Sequence, residues 1–450
     1  MTHTRGAAAR GLFLTRRMAV LAPLAALTGC DTWGNLFGAK KVILPGKRES
    51  LLTGQGELKT DEGVGKVTLP PAVRNAAWPQ DGGNPAHLMG HLEAAERLSE
   101  VWSSSIGDGG GYRAKILAHP VSANGMVYTM DSSGLVSAFD LARGDRHWRF
   151  DTVLDEDRST NIGGGLAFDG GTLYAVNGLA ELVALDAAKG TVRWRTKTGT
   201  PARSSPTVAD GRLFLTTIDD RLLAYATADG RSLWSYQGTQ AATAYLGQPA
   251  PAYAEGFVIA GFGSGELAAV RADTGTIVWT DSLAAARAAG SVAEFSSIRG
   301  LVTVVRDAVY SISVGRLMVA NDLHSGRRLW ERDASGEDSP WVADDWIFVV
   351  TLNQQAAAIS RVDGRVAWVT DLPRWEDPDK RKDQITWFGP VLVSDRLVVA
   401  GTNEVALAIS PYTGKILGQQ SLSDGAALGP VVAQGTVLIT CDDGRLLALR

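Results

Sequence analysis

Few side chains in this 450-residue chain are placed to do covalent chemistry, and the most telling is a cysteine near its start. Leu27-Thr28-Gly29-Cys30 sets small residues ahead of a thiol, the arrangement in which cysteine accepts a diacylglyceryl group and becomes the first residue of a mature lipoprotein. Several acyl chains hold a protein to a bilayer far more firmly than one. Arg5, Arg10, Arg16 and Arg17, with no acid among them, surround and precede an apolar run over residues 18–27. Such a run is a secretory leader, because a bilayer-spanning helix needs about 20 apolar residues. Arg16-Arg17 leaves general secretory and twin-arginine export both open. The other cysteine is Cys441, so with Cys30 acylated no internal disulfide is expected.

The remaining candidates for metal or catalytic chemistry fall short on spacing. His87 and His91 stand four apart, which on a helix would aim both at one metal, but no glutamate completes a His-Glu-x-x-His pattern. They read as surface histidines in a capping segment. Asp155-Glu156-Asp157 lacks the ligand spacing and central glycine of a calcium loop and reads as a solvated charge run. Gly109-Gly110-Gly111 and Gly163-Gly164-Gly165 are not followed by Gly-Lys-Ser/Thr, and Gly261 to Gly265 suits a hairpin turn. There is no Gly-x-Ser-x-Gly elbow, no adjacent cysteine pair and no Cys-x-x-Cys-His haem motif. No catalytic residue, no metal and no cofactor is expected. Removing the leader takes away its four arginines and leaves 40 basic against 48 acidic side chains, so nucleic acid is not an expected partner.

The elements that would carry any site are repeats. From about Pro120 onward one order recurs: glycine, an aliphatic strand, a turn, a second alternating strand ending in alanine and an apolar residue, a short loop to glycine, then tryptophan. The alanines are Ala138, Ala184, Ala224, Ala269, Ala320, Ala358, Ala408 and Ala448. Six residues after the first seven comes Gly144, Gly190, Gly230, Gly275, Gly326, Gly364 or Gly414. Four further on stand Trp148, Trp194, Trp234, Trp279, Trp330 and Trp368, and in the seventh copy Gly418, which predicts a looser outer strand there. A methyl-sized side chain suits a crowded blade-to-blade contact on an inner strand near the axis, glycine suits a tight turn with positive φ, and tryptophan covers the outer part of a blade.

The eighth copy stops at Arg450 before its fourth strand, and Val101-Trp102-Ser103-Ser104-Ser105-Ile106-Gly107 looks like the missing piece. Strands of four to seven residues with period-two alternation predict an all-β fold: an eight-bladed β-propeller of four-stranded antiparallel blades, closed by an N-terminal strand. The expected divisions are a leader over 1–29, a lipidated N-terminus and flexible tether over 30–97 with a short helix around 88–98, and the propeller over 98–450. The charged insertion at 374–383 is expected as an exposed loop, with Trp375 the best of the tryptophans outside the repeat column for an exposed protein contact. The others outside that column are Trp33, Trp78, Trp341, Trp346 and Trp387.

With its lipobox, its Trp-closing N-terminal strand and its eight Ala/Gly/Trp repeats, the chain resembles the BamB family of outer-membrane assembly lipoproteins over nearly all of its mature length. The resemblance implies a non-catalytic scaffold of the β-barrel assembly (BAM) machinery. It would be anchored at the periplasmic face of the outer membrane and docked on the POTRA domains of BamA beside other BAM components, with nascent outer-membrane proteins as further partners. Family members dock through loops between the third and fifth repeats. The matching stretches here are 242–247, with Tyr245 and Leu246, and 294–300, with Ser297 and Arg299. Leu246 replaces a basic residue usual before the glycine, and Ser297 and Arg299 stand where acidic residues are usual. Asp31 after Cys30 is a residue that in some bacteria favours the inner membrane. The repeat is shared with pyrroloquinoline quinone (PQQ) dehydrogenases, so a PQQ-dependent periplasmic enzyme is the alternative reading.

Overall fold

The computed structural model describes residues 57–450 apart from 112–113, 154–162, 203, 242–246 and 285–295. Cys30, Trp33 and Asp155 to Asp157 therefore lie outside the described residues.

The first repeat shows how local chemistry builds a blade. Strands β2 (Val121–Ala123), β3 (Met126–Met130), β4 (Leu135–Asp140) and β5 (Arg146–Asp151) form one antiparallel sheet in that order. Asn124 and Gly125 join the first two with φ of 54° and 76°, the left-handed pair that a two-residue hairpin requires. The first three strands are almost wholly buried, whereas β5 is exposed at Arg146, His147 and Arg149. The first strands of successive blades, β2 and β6 (Gly164–Asp169) among them, lie against one another, so each sheet runs from the axis outward in sequence order.

Eight such four-stranded sheets are present, and the expected propeller is observed. In the last blade β32 (Val431–Ala433), β33 (Thr436–Thr440) and β34 (Arg445–Leu449) are completed by β1 (Glu100–Ser105), with Trp102 opposite Ala448. Ser99 and Arg450 exchange backbone hydrogen bonds of 2.8 and 2.9 Å just beyond, so the two ends of the ring are stitched side by side. This removes the open edges that a broken ring would expose.

Three sequence expectations change. The alanine column lies on the third strand of each blade, not on an inner strand near the axis. Ala138 sits between Tyr128 on the second strand and Trp148 on the fourth, whose rings meet above it with centroids 5.9 Å apart. Alanine leaves room there for the two aromatic rings that lean over it. The same register joins Tyr174, Ala184 and Trp194, and Phe348, Ala358 and Trp368.

The 374–383 insertion is a two-stranded ribbon, β26 (Trp375–Asp377) on β27 (Lys382–Gln384), because Arg381 and Asp383 adopt positive φ and turn the chain back on itself. Trp375 is half-buried in it.

The third change is the largest. Residues 57–97, expected as part of a tether, are packed onto the propeller, and the segment around 88–98 is not helical. The inner edge of every blade points unpaired N–H and C=O groups at the axis, which is costly unless answered. Residues 75–92 answer them blade by blade around the ring. Asn75 donates to Val432 O (2.7 Å) in the eighth blade, Trp78 exchanges two 2.7 Å bonds with Ser122 in the first, and Pro79 O accepts from Phe168 N (2.6 Å) in the second. Gln80 Oε1 accepts from Val208 N in the third (2.9 Å), Pro85 O from Tyr253 N in the fourth (2.6 Å) and Ala86 O from Val304 N in the fifth (2.9 Å). Gly90 O accepts from the Trp341 indole in the sixth (2.8 Å), and Leu92 N donates to Leu392 O in the seventh (3.2 Å). The segment is a strap that circles the axis once.

Candidate docking face and axial cluster

Connections from the fourth strand of one blade to the first of the next all leave on one face, which the alternation of antiparallel strands dictates. The stretches singled out for docking are two of these connections. Tyr245 and Leu246 lie outside the described residues; Ser297 and Arg299 lie within them. Ser297 is buried at 4% exposure, with its carbonyl accepting from Val314 N (3.0 Å), so its side chain is not on offer to a partner. Arg299 pairs with Glu337 from the next connection, and its guanidinium borders Gly247. Among the described residues, the two predicted stretches meet where Arg299 borders Gly247.

Beneath them lies an ionisable cluster that spacing did not reveal. Asp81 of the strap is buried 3.2 Å from His119 Nδ1. Burial pushes the Asp81 carboxyl up, but His119 and then His87 outweigh it and hold it below the usual carboxylate range. Burial likewise pushes His119 down, while the charge and hydrogen bond of Asp81, with Asp338 behind them, carry it above the ordinary histidine value. Asp338 accepts from Gly389 N at 3.0 Å, yet burial dominates and Glu337 adds to it, so its carboxyl is pushed up to about 7. His87 donates from Nδ1 to Val302 O (2.8 Å) and is held below its ordinary value by burial.

The two histidines are therefore not surface residues. They also fail to share a metal, because their ring nitrogens turn to different backbone partners: His91 Nδ1 donates to Pro70 O (2.7 Å) and its Nε2 accepts from Asp395 N (3.0 Å). The only trace of the cluster in the sequence was a run of polar and titratable residues beside Trp78. Elsewhere Glu255, Asp307 and His324 converge closely enough to hold a cation, but all three are exposed on turns.

Between the strap and the connections remains a cavity of about 70 Å³, lined by Trp78, Asp81, His87, His119, Asp338 and Trp341 among others. Binding pockets for drug-sized ligands run to about 300–1,000 Å³, so this space suits a few water molecules and not a tricyclic quinone. Trp78 and Trp341 stack across it at 6.2 Å. Among the described residues, the strap crosses this end of the axis and borders the cavity through Trp78, Asp81 and His87.

Comparison with known proteins agrees with this arrangement. The family model described as outer membrane protein assembly factor BamB matches residues 132–370, more than half of the chain. Outer membrane protein assembly factor BamB of Yersinia pestis is 29% identical over 406 residues, covering 89% of this chain and 96% of the relative. Among solved structures, BamB from Moraxella catarrhalis superposes with a TM-score of 0.67 at 18% identity, over 79% of this chain and all of that one. Quinohemoprotein alcohol dehydrogenase from Comamonas testosteroni superposes at 0.63 and 14% identity, over 84% of this chain and 81% of that one. At such identities the two superpositions speak for the shared propeller only.

Proposed function

The chain belongs to the BamB family of outer membrane protein assembly factors, and from that premise we propose that it acts as a scaffold of the β-barrel assembly machinery that catalyses nothing itself. Outer-membrane protein assembly is the role that family membership carries. The finer reading is that Cys30 is lipidated after removal of residues 1–29, that the lipid holds the ring at the periplasmic face of the outer membrane, and that the face bearing Arg299 docks on POTRA domains of BamA.

The observation that supports a scaffold over an enzyme is the strap. A quinone enzyme needs a cofactor slot in the ring; here residues 75–92 bond to all eight inner strands, and the cavity they border beside Trp78 and Trp341 holds about 70 Å³. A rigid ring with a filled axis presents loops, and loops on rigid scaffolds are where partners bind.

The deciding experiment is affinity capture of the full chain from detergent-solubilised envelopes. Co-purification of β-barrel assembly components is expected, with weaker capture by Arg299→Glu, since reversing a rim charge slows association. Failure to capture any such component would sink the reading. Addition of PQQ and calcium with a dye acceptor and common alcohols or sugars is expected to give no turnover; clear turnover would restore the dehydrogenase.

A further inference from the structure

Seven of the eight seams between blades are closed in one way. The tryptophan on the outer strand turns its ring toward the next blade and donates its indole N–H to a carbonyl there at 2.6 to 3.1 Å: Trp102 to Leu141, Trp148 to Ala187, Trp194 to Thr227, Trp234 to Ala272, Trp279 to Leu323, Trp330 to Arg361 and Trp368 to Pro411. The repeat glycine of that next blade lies flat against the ring, so close that a Cβ on Gly190 would stand 2.6 Å from Trp148.

The seam between the seventh and eighth blades has none of this. Its column across β29 (Arg396–Gly401), β30 (Val405–Ile409) and β31 (Ile416–Ser421) is Val398, Ala408, Gly418, so the tryptophan common to the other seams is missing, and Val398 stands where Tyr128, Tyr174, Phe214, Tyr310 and Phe348 put a second ring beside the alanine. A Cβ on Gly418 would meet nothing within 4 Å. The outer strand of the eighth blade is β1, so no glycine turn leads from the strand of Ala448 to it, and residues 96–98 line the seam instead. The result is a groove of about 440 Å³ floored by Val398, Ala408, Gly418 and Leu449, with Arg396 and Leu98 at its sides. Leu417 beside it is 54% exposed.

We propose that this seam is a docking site for an extended segment of another protein that carries a tryptophan. The occupant's chemistry is written in the other seams, each of which seats an indole. Its backbone has a place too, because β31 is the outer, unpaired strand of its sheet and accepts a fifth strand by edge addition. Trp148 reaches Tyr128 across the intervening Ala138, a span of two strands. A tryptophan on a strand added outside β31 reaches across Gly418 to Ala408 by the same geometry. Arg396, held by the carbonyls of Ala95 and Glu96, lines the groove and places a cation within reach of the ring. The site does not depend on the assembly role, so the two stand or fall separately.

The test uses the full chain in detergent and a fluorescein-labelled heptapeptide, Ser-Thr-Val-Trp-Val-Thr-Ser, followed by anisotropy. The tryptophan peptide is expected to bind at least about tenfold more tightly than its Trp→Ala counterpart, a ratio equivalent to ~1.4 kcal/mol. Gly418→Trp, which fills the seam from within, is expected to cut that binding at least tenfold while leaving the thermal midpoint unchanged or raised. Gly418 has no positive φ and open space around it, so the substitution needs no backbone change. Equal binding of both peptides, undiminished binding by Gly418→Trp, or a lowered midpoint or misfolding of that variant each overturn the proposal. A photo-reactive residue in place of the tryptophan is expected to cross-link within residues 396–420 or at Leu449; cross-links confined elsewhere also overturn it.

Discussion

The seam between the sixth and seventh blades and the seam between the seventh and eighth are neighbours in one ring, built from the same repeat, yet only the first is closed. At the first, Trp368 is buried under Phe348, donates to Pro411 O at 2.8 Å and packs on Gly414. At the second, Val398 and Gly418 replace the two rings and a groove remains. A propeller therefore needs tryptophan closure at most of its seams but not at all of them, because each sheet is also held by its own backbone ladder. The seam that can be spared is the one bridged by the segment leading into β1, where Ser394 and Arg396 of the seventh blade bond to the backbone of Ala94, Ala95 and Glu96.

Truncating a closing ring is the harshest way to break this comparison. Trp279→Ala removes a buried indole and its bond to Leu323 and is expected to cost ~3–5 kcal/mol, read from urea unfolding. Leu417→Ala at the open seam is expected to change stability by less than about 0.5 kcal/mol. A loss of similar size at both sites would mean that the seams are equivalent after all.

Stability against pH separates the seams from the axis, since the seams are apolar and the axis is ionisable. Asp338 has a folded-state value near 7 against 3.8 for an ordinary aspartate, so the folded chain holds a proton that the unfolded chain releases. The contribution is present in full below about pH 4 and is lost as pH rises toward and through 7. His119, raised as well, loses its contribution in the same direction. His87, held below its ordinary value, acts in the opposite direction below about pH 6.5, so the net fall in unfolding free energy is expected between about pH 6.5 and 8, by on the order of a few kcal/mol at most. Asp338→Asn is expected to flatten that slope while Trp279→Ala lowers the whole curve without tilting it. A slope unchanged by Asp338→Asn would remove the axis from the account.

Glycine substitutions sharpen the contrast on a smaller scale. Gly326 has φ of 70° and lies against Trp279, so Gly326→Ala is expected to cost ~1–2 kcal/mol from backbone conformation, with displacement of the ring added. Gly418→Ala has neither problem and is expected to stabilise by ~0.4–1 kcal/mol through a less flexible unfolded chain. Opposite signs at the two glycines are the outcome to look for in thermal midpoints.

The strap marks the boundary of what could be read in advance. Trp78, His87 and His91 lie in a stretch with no strand alternation, and composition alone read it as a tether with surface histidines. Many of the strap's partners are hundreds of residues away, 215 for His87 and Val302 and 357 for Asn75 and Val432, so no local pattern pointed to them. Gly418 was visible as the break in the tryptophan column, but its consequence was not, because the groove also needs Val398 from the second strand and Leu449 from the next blade.

Strand alternation, turn residues and the regular return of alanine, glycine and tryptophan act over a few residues each, and so eight blades and the closing role of Trp102 followed from the order of amino acids. How the inner edges of the blades are satisfied, which titratable groups meet at the axis, and which seam stays open were settled only when distant segments met. Those outcomes depend on burial and on competition for unpaired backbone groups, and neither exists until the ring has closed.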